Sequence, residues 1–478
     1  MKSIIGRKIE QNKLEQIYSS NKAEFVVIYG RRRVGKTYLV RELFQDRFNF
    51  YHTALSPIEL DGKNLTIKQL QAFYYSLKRY GANIEHEPSD WFEAFEMLIT
   101  LLENKDKNRR LVIFIDELPW MDTPRSGFIT AFEHFWNSWA AGQKNIMLIV
   151  CGSAASWISD KLIQNKGGLY GRTTYEIHLS PFTLGECEEF MKSEGIVMNR
   201  YDQLQCYMTM GGIPYYLSYI NKGESLTQNI DRLFFSKGGK LREEFYRLYA
   251  SLFSTPEKYI KIIRLLSQKR EGYTREEIAK ETGIPYGGGL TKMLQALESS
   301  DFIMPYVYYN HSSREVYYKL IDLYTLFYLH FIEKKNAGSD FWKNNLMSPT
   351  LNAWRGIAFE EVCFVHRKKI KQALGIAAVQ TEISPWRSKQ SEGDRAQIDM
   401  LIDRADMVVN VCEMKYSTDN YAIDKKYDAE LRRKLSVFAN ETRCRKALHT
   451  TIVTTYGLVK NEYSGYIQNV VTMDSLFD

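Results

Sequence analysis

Three runs of consecutive apolar residues stand out in a chain that otherwise mixes polar and apolar positions at helical spacing: Phe25–Tyr29, Leu111–Ile115 and Ile146–Val150. Runs of this length, bounded by glycine or acidic residues, predict strands buried on both faces of a parallel sheet. Weaker strands are expected at Phe48–His52 and Thr174–Leu179. Ile9, Leu14 and Ile17 share one helical face, so a short amphipathic helix is expected over 7–20. Further helices are expected near 65–80 and 90–104, and an aromatic one carries Phe128, Phe132, Phe135, Trp136 and Trp139. Alternating strand and helix of this kind specify an α/β fold.

The ends of the apolar runs carry the chemistry. After Phe25–Tyr29 comes Gly30-Arg31-Arg32-Arg33-Val34-Gly35-Lys36-Thr37, followed by a helical pattern at Leu39, Val40, Leu43 and Phe44. Strand, loop and helix in that order give a G-x-x-x-x-G-K-T phosphate-binding loop its required context. Gly30 and Gly35 let the backbone curl so that successive N–H groups point inward, and the helix N-terminus adds positive potential. Lys36 is expected to reach the β/γ-phosphates of ATP and Thr37 to ligate Mg2+. The second run ends in Asp116-Glu117, where Asp116 would hold the metal and Glu117 would polarise the attacking water. The third run ends in Cys151-Gly152-Ser153. Ser153 is either a contact to the γ-phosphate or lytic water, or a turn-forming serine. Arg172, before the strand at 174–179, is either a finger on developing phosphate charge or a surface ion-pair residue.

Taken as a series, Ile5-Gly6-Arg7 with Glu10, the loop 30–37, Ile115-Asp116-Glu117, Cys151-Gly152-Ser153, Gly171-Arg172 before Leu179-Ser180-Pro181-Phe182, and Gly211-Gly212-Ile213-Pro214 resemble the archaeal-type ATPase family, a branch of the AAA+-related, signal-transducing P-loop ATPases. The resemblance covers roughly residues 3–235. It implies a parallel sheet flanked by helices with a small helical lid, whose helices would fall around 184–194 and 201–220.

Beyond the lid, Thr274-Arg275-Glu276-Glu277 is a capping box that opens a helix, and the pattern continues through Gly283 to Leu290, Met293, Leu294 and Leu297. Phe302–Tyr309, a turn at 310–313 and Glu315–Leu320 read as a hairpin, so this segment is expected to form a winged helix-turn-helix. Its second helix carries Lys292 and no arginine, which thins the phosphate attraction that dominates DNA affinity. A protein-contact role and a DNA-reading role both remain open.

A second constellation follows. A helix is expected over Trp354–Lys369, with strands at Ala377–Glu382, Gln397–Asp403 and Val408–Lys415, a compact αβββ unit. Strand alternation puts Glu413 and Lys415 on one face, with Cys412 and Met414 packing inward on the other. Asp399 and Glu413 are then placed to bind one or two metal ions, Lys415 to orient hydroxide or offset phosphorane charge, and Glu360 to complete the metal shell. An ordinary strand with an exposed Glu/Lys pair gives the same pattern without chemistry. Asp399, Glu413, Lys415 and Glu360 resemble the motif of the PD-(D/E)xK nuclease superfamily, with Ile398 standing where the motif has proline.

Composition narrows the picture. The 478 residues, 44% hydrophobic and 25% charged, suit a multidomain globular chain. The expected division is an ATPase core over 1–183, a lid over 184–250, a winged helix over 251–335 and a nuclease-like domain over 345–478. The net charge of +7 permits nucleic-acid contact without demanding it. Basic clusters at 367–371, 425–426, 432–434 and 443–446 concentrate it in the last third. The six cysteines lack zinc-type spacing and read as reduced thiols; no run is long enough to span a bilayer, and a cytoplasmic address is expected. The expected partners are ATP with Mg2+, a nucleic acid (DNA ahead of RNA), a protein partner through the winged helix and a second copy of the chain. The expected function is an ATPase controlling a Mg2+-dependent, DNA-directed nuclease-like domain, or alternatively an ATP-driven switch whose nuclease-like domain binds nucleic acid or a partner without cutting.

Overall fold

The computed structural model describes residues 4–56, 64–106, 108–164, 167–333, 338–388 and 396–478. Two compact units divide the chain, one formed by Met1–Pro181 with Leu248–Pro256 and Lys292–Asp301, the other by Phe182–Arg247, Glu257–Thr291 and Phe302–Asp478. Among the described residues, no helix is long and apolar enough to cross a membrane.

The first unit is built on five strands: β1 (Glu24–Tyr29), β2 (Phe48–Thr53), β3 (Leu111–Asp116), β4 (Ile146–Gly152) and β5 (Tyr175–His178), in the order β2-β3-β4-β1-β5. All four pairings are parallel, with Val27 opposite Val150 and Ile113 opposite Leu148. Every residue of β3 and β4 is buried. Alternation explains why both faces are apolar: Phe25, Val27, Ile113, Ile115, Leu148 and Val150 join one core cluster, leaving Val26, Ile28, Phe114 and Ile149 to the opposite face. The first cluster is roofed by helices Trp91–Glu103 and Phe128–His134 and the helical turn Phe135–Trp139 that continues the second, where Phe25 meets Trp136 at 4.9 Å and Trp91 meets Phe128 edge-on at 5.0 Å. The amphipathic first helix runs Lys8–Tyr18 and buries Leu14 and Ile17, whereas Ile9 is exposed.

The second unit begins with helices Leu184–Ser193, opened by a complete Thr183/Glu186 capping box, and Arg200–Met210, capped by Asn199. The Thr274/Glu277 box opens helix Arg275–Thr282. Three short strands, β6 (Tyr273–Thr274), β7 (Ile303–Tyr306) and β8 (Tyr317–Leu320), pair antiparallel in the order β6-β8-β7, with Ile303 opposite Leu320. A second sheet holds β9 (Thr381–Arg387), β10 (Gln397–Arg404), β11 (Val408–Lys415), β12 (Ala447–Thr454) and β13 (Asn469–Thr472), in the order β13-β12-β11-β10-β9. It is mixed: β9, β10 and β11 are antiparallel neighbours, while β11, β12 and β13 run parallel.

Two details differ from expectation. The helix expected over Trp354–Lys369 starts earlier, at Pro349, stops at Val365, and is followed by a separate helix, Arg367–Ala373. The strand expected at Ala377–Glu382 is displaced to Thr381–Arg387, because Gly375 takes a left-handed conformation (φ 70°) after that second helix and residues beyond it form a turn. Pro385 sits in β9 at the sheet's edge, where its missing N–H costs no ladder bond.

Candidate active site

Gly30 leaves β1 with φ 136°, and a Cβ there would fall 2.4 Å from Leu179 O, so only glycine can pass under this backbone. Arg33 (φ 74°) and Gly35 (φ 94°) complete the curl before helix Lys36–Phe44. Lys36 is buried, and its Nζ donates to Gly30 O at 3.0 Å and Arg31 O at 2.9 Å. Burial pushes its pKa down, opposed by the nearby Glu117, Cys151 and Asp116.

Thr37 Oγ1 lies 3.1 and 3.0 Å from the two carboxylate oxygens of Asp116, the last residue of β3. Burial raises the Asp116 pKa, and the Cys151 thiol, donating to Oδ1 at 2.6 Å, counters part of the shift. Burial also pushes the Cys151 thiol well up, so it stays protonated as a donor. Glu117 adopts a left-handed backbone (φ 52°), and its carboxylate accepts from Ser153 N at 3.0 Å and Ser153 Oγ at 2.9 Å. Asp116 and Glu117 therefore have separate keepers, one facing Thr37 and the other facing Ser153.

The strand bearing Asp116 does not lie beside the loop strand, since β4 stands between β1 and β3. That insertion brings Cys151 to Asp116 and Ser153 to Glu117; the serine holds the glutamate, a role the sequence reading did not assign. Arg7, with φ 53°, was also missed as a structural element of the loop: its Nη2 donates to Ser180 O at 2.6 Å and Val34 O at 3.3 Å. A Gly-Arg pair just before the first helix was its only signal. Arg172 is exposed, with Nε 3.4 Å from Gly168 O, and among the described residues no hydrogen bond or ion pair joins it to Lys36, Asp116 or Glu117.

The donor set fits a nucleoside triphosphate with magnesium. A buried ammonium resting on neutral carbonyls favours an incoming anion, and a hydroxyl paired with a carboxylate supplies the hard oxygens that magnesium prefers.

The second constellation is assembled differently. Met400 stands opposite Cys412, and the next step along each strand brings Asp399 near Glu413, whose pKa is raised by burial and by Asp399. Glu413 does not share an open surface with Lys415 as expected. It is 2% exposed and accepts from Lys434 Nζ at 2.9 and 3.0 Å and from Tyr427 Oη at 3.3 Å. Lys415 instead lays its Nζ over the Tyr427 ring, 4.4 Å from the centroid. Helix Pro349–Val365 presents Glu360, which accepts from Arg270 Nη1 at 3.3 and 3.2 Å. Burial foremost, with Asp399 close by, raises the Glu360 pKa to about 7. The adjacent Glu361 pairs with Lys319 at 2.6 Å.

Among the described residues, no three His, Cys, Asp or Glu side chains converge as a metal-binding group. Of the expected set Glu360, Asp399 and Glu413, the two glutamates are engaged by cations, Glu360 by Arg270 and Glu413 by Lys434. Lys434, Arg270 and Lys319 were invisible as partners in sequence, since each comes from a segment remote from the acid it meets.

Residues 5–220 match the family model for an ATPase domain predominantly from Archaea. An uncharacterized protein of Methanocaldococcus jannaschii is 28% identical over 369 residues, 75% of this chain and 76% of that one. An uncharacterized ATP-binding protein of the same organism is 42% identical over 43 residues, 9% of this chain and 73% of that one. A Walker-type ATPase of Pyrococcus abyssi aligns over 69% of this chain and 96% of its own, at 19% identity and a TM-score of 0.47. The loop, the acid pair and the parallel sheet all lie within the segment, residues 5–220, that matches the ATPase-domain model.

Proposed function

We propose that this protein is an AAA+-like ATP-binding and hydrolysing switch whose output is a C-terminal nuclease-like domain directed at DNA. The observation that carries the ATPase half is the pair of held acids, Asp116 against Thr37 and Glu117 against Ser153. Lys36 neutralises charge on the β/γ-phosphates, and the loop N–H groups hold them. Thr37 and Asp116 would hold magnesium, which screens the phosphate charge. Glu117 takes a proton from the attacking water, with Ser153 fixing its carboxylate in the direction of attack. Arg172, exposed, serves as a finger to a second copy of the chain rather than to its own site. The segment around β6–β8 acts as a winged-helix adaptor.

In the C-terminal domain, the cleaving reading assigns a divalent ion to Asp399, Glu413 and Glu360, which would first have to give up the Arg270 and Lys434 ion pairs, and assigns Lys415 to charge at phosphorus. A second reading, binding of nucleic acid or a partner without cleavage, is favoured by the Lys434–Glu413 ion pair, which neutralises one required carboxylate. The two readings part on one experiment. Protein with Mg2+ or Mn2+ and ATP should nick DNA, and Asp399→Ala with Lys415→Ala should not. Equal inactivity of both proteins on DNA and RNA leaves the non-cleaving switch.

A further inference from the structure

The two outer strands of the first unit's sheet are built differently. β5 is four residues long and carries Glu176 and His178. β2 runs six residues, Phe48-Asn49-Phe50-Tyr51-His52-Thr53, without proline, lysine or an acid. Short strands and charged side chains blunt a sheet edge against further pairing, and β2 has neither device.

The pairing shows which groups β2 leaves open. The Ala54 N–H donates to Asp116 O at 3.0 Å, so Phe50, His52 and Ala54 turn their main-chain groups toward β3, while Tyr51, Thr53 and Leu55 turn theirs outward. At Leu55 the outward pair is filled by a side chain. Gln69 Oε1 accepts from the Leu55 N–H at 3.0 Å, and Gln69 Nε2 donates to its carbonyl at 2.8 Å, as a neighbouring strand would. Among the described residues, nothing does the same for the main chain of Tyr51 or Thr53.

Beside those two residues, between β2 and helix Leu65–Arg79, lies a cleft of about 300 Å3, a size that suits a ligand group. His52 lines it from a buried position: its Nδ1 meets Ser76 Oγ at 2.9 Å, and its Nε2 has no hydrogen-bond partner among the described residues. The helix contributes Tyr75, 55% exposed, and its last residue, Arg79. Arg79 is the charged member of the lining, no carboxylate stands with it there, and among the described residues it makes no ion pair.

We propose that the free edge of β2 is a docking site for an extended peptide carrying an acidic side chain. The peptide pairs its main chain with the open groups of Tyr51 and Thr53, places a side chain in the cleft beside Tyr75, and sets its carboxylate on Arg79. Main-chain bonds supply the affinity, and the cleft with its unopposed cation supplies the selectivity. The site is separate from the phosphate loop and independent of either reading of the C-terminal domain.

The test presents the full chain with an array of extended peptides of alternating valine and threonine in which one central position is varied. Aspartate and glutamate peptides should bind best, and the best of them, fluorescein-labelled, is titrated by polarisation. Arg79→Glu should weaken that peptide about tenfold and move the array's preference to lysine. Thr53→Pro removes an outward N–H and no bond to β3, so it should weaken binding about tenfold with the melting temperature kept. Two further peptides, N-methylated at odd or at even positions, read main-chain pairing on the wild type alone: one should bind like the parent and the other should fail. An array without acidic preference, an affinity that Arg79→Glu leaves unchanged, or equal behaviour of the two methylated peptides overturns the proposal. A wild-type dimer that Thr53→Pro dissociates overturns it too, by giving the edge to a second copy of the chain.

Discussion

The phosphate loop and the C-terminal acidic cluster both gather carboxylates and a lysine, but they hold them in opposite ways. At the loop, Asp116 is held by a hydroxyl and a thiol, Glu117 by a serine, and Lys36 by two carbonyls. Neutral donors and acceptors fix geometry without cancelling charge, so cation and acids stay ready for a charged ligand. In the C-terminal cluster, Glu413, Glu360 and Glu361 each already face a cation: Lys434, Arg270 and Lys319. A metal ion there must first displace an ion pair. Readiness to bind follows from the charge of the groups that position a carboxylate, and the number of carboxylates alone does not reveal it.

Removing the charge at the loop should break the comparison most severely. Lys36→Ala should lower ATP turnover by at least ~10³-fold, and Glu117→Gln by ~10²-fold or more with nucleotide affinity retained. Steady-state phosphate release alongside fluorescent-nucleotide titration checks both; a Glu117→Gln protein that turns over normally would remove the glutamate from the mechanism.

The C-terminal cluster should respond in stability. Lys434→Ala leaves Glu413 charged and 2% exposed, at a cost of about 3–5 kcal/mol, whereas Lys434→Met with Glu413→Gln should recover most of it. Calorimetric unfolding of the two variants decides this, and a harmless Lys434→Ala would mean the pair is dispensable.

Acid should also reveal a buried histidine in each unit. His52 is pushed down to about 3 and His366 to about 4, both chiefly by burial. His366 accepts the Leu184 N–H at Nε2 and, through Nδ1, meets Val362 O at 2.9 Å, which assigns the neutral Nδ1–H tautomer. Because the folded pKa lies below the unfolded one, the stability tied to neutral His366 is complete above pH 6.5 and drains as pH falls toward 4. The full loss is about 3 kcal/mol. His366→Phe should flatten that limb of a pH-dependent unfolding series; a slope identical to the wild type would sink the assignment.

The smallest effect is expected at the serine. Ser153→Ala frees Glu117 without touching Lys36, so kcat should fall about tenfold with nucleotide affinity unchanged. A matching loss in affinity would instead indicate direct phosphate contact.

The sequence by itself determined the parts whose meaning is local. A five-residue, β-branched apolar run bounded by glycine or acidic residues reads as a buried strand, and G-x-x-x-x-G-K-T after it needs its glycines for backbone reasons that do not depend on the rest of the chain, so the loop, Asp116-Glu117 and the Thr274 capping box were all legible. Alternation likewise located β11 to the residue. Strands β12 and β13 escaped, because His449 and Thr450–Thr451 interrupt the apolar pattern and Asn469–Thr472 is too short to signal. Only tertiary structure decided that β4 runs between β1 and β3, which hands Glu117 to Ser153, and that Lys434, Arg270 and Lys319 close on Glu413, Glu360 and Glu361. The physical reason is range: strand and turn preferences act over a few residues, whereas an ion pair between positions 90 apart exists only after the chain has folded both into one place.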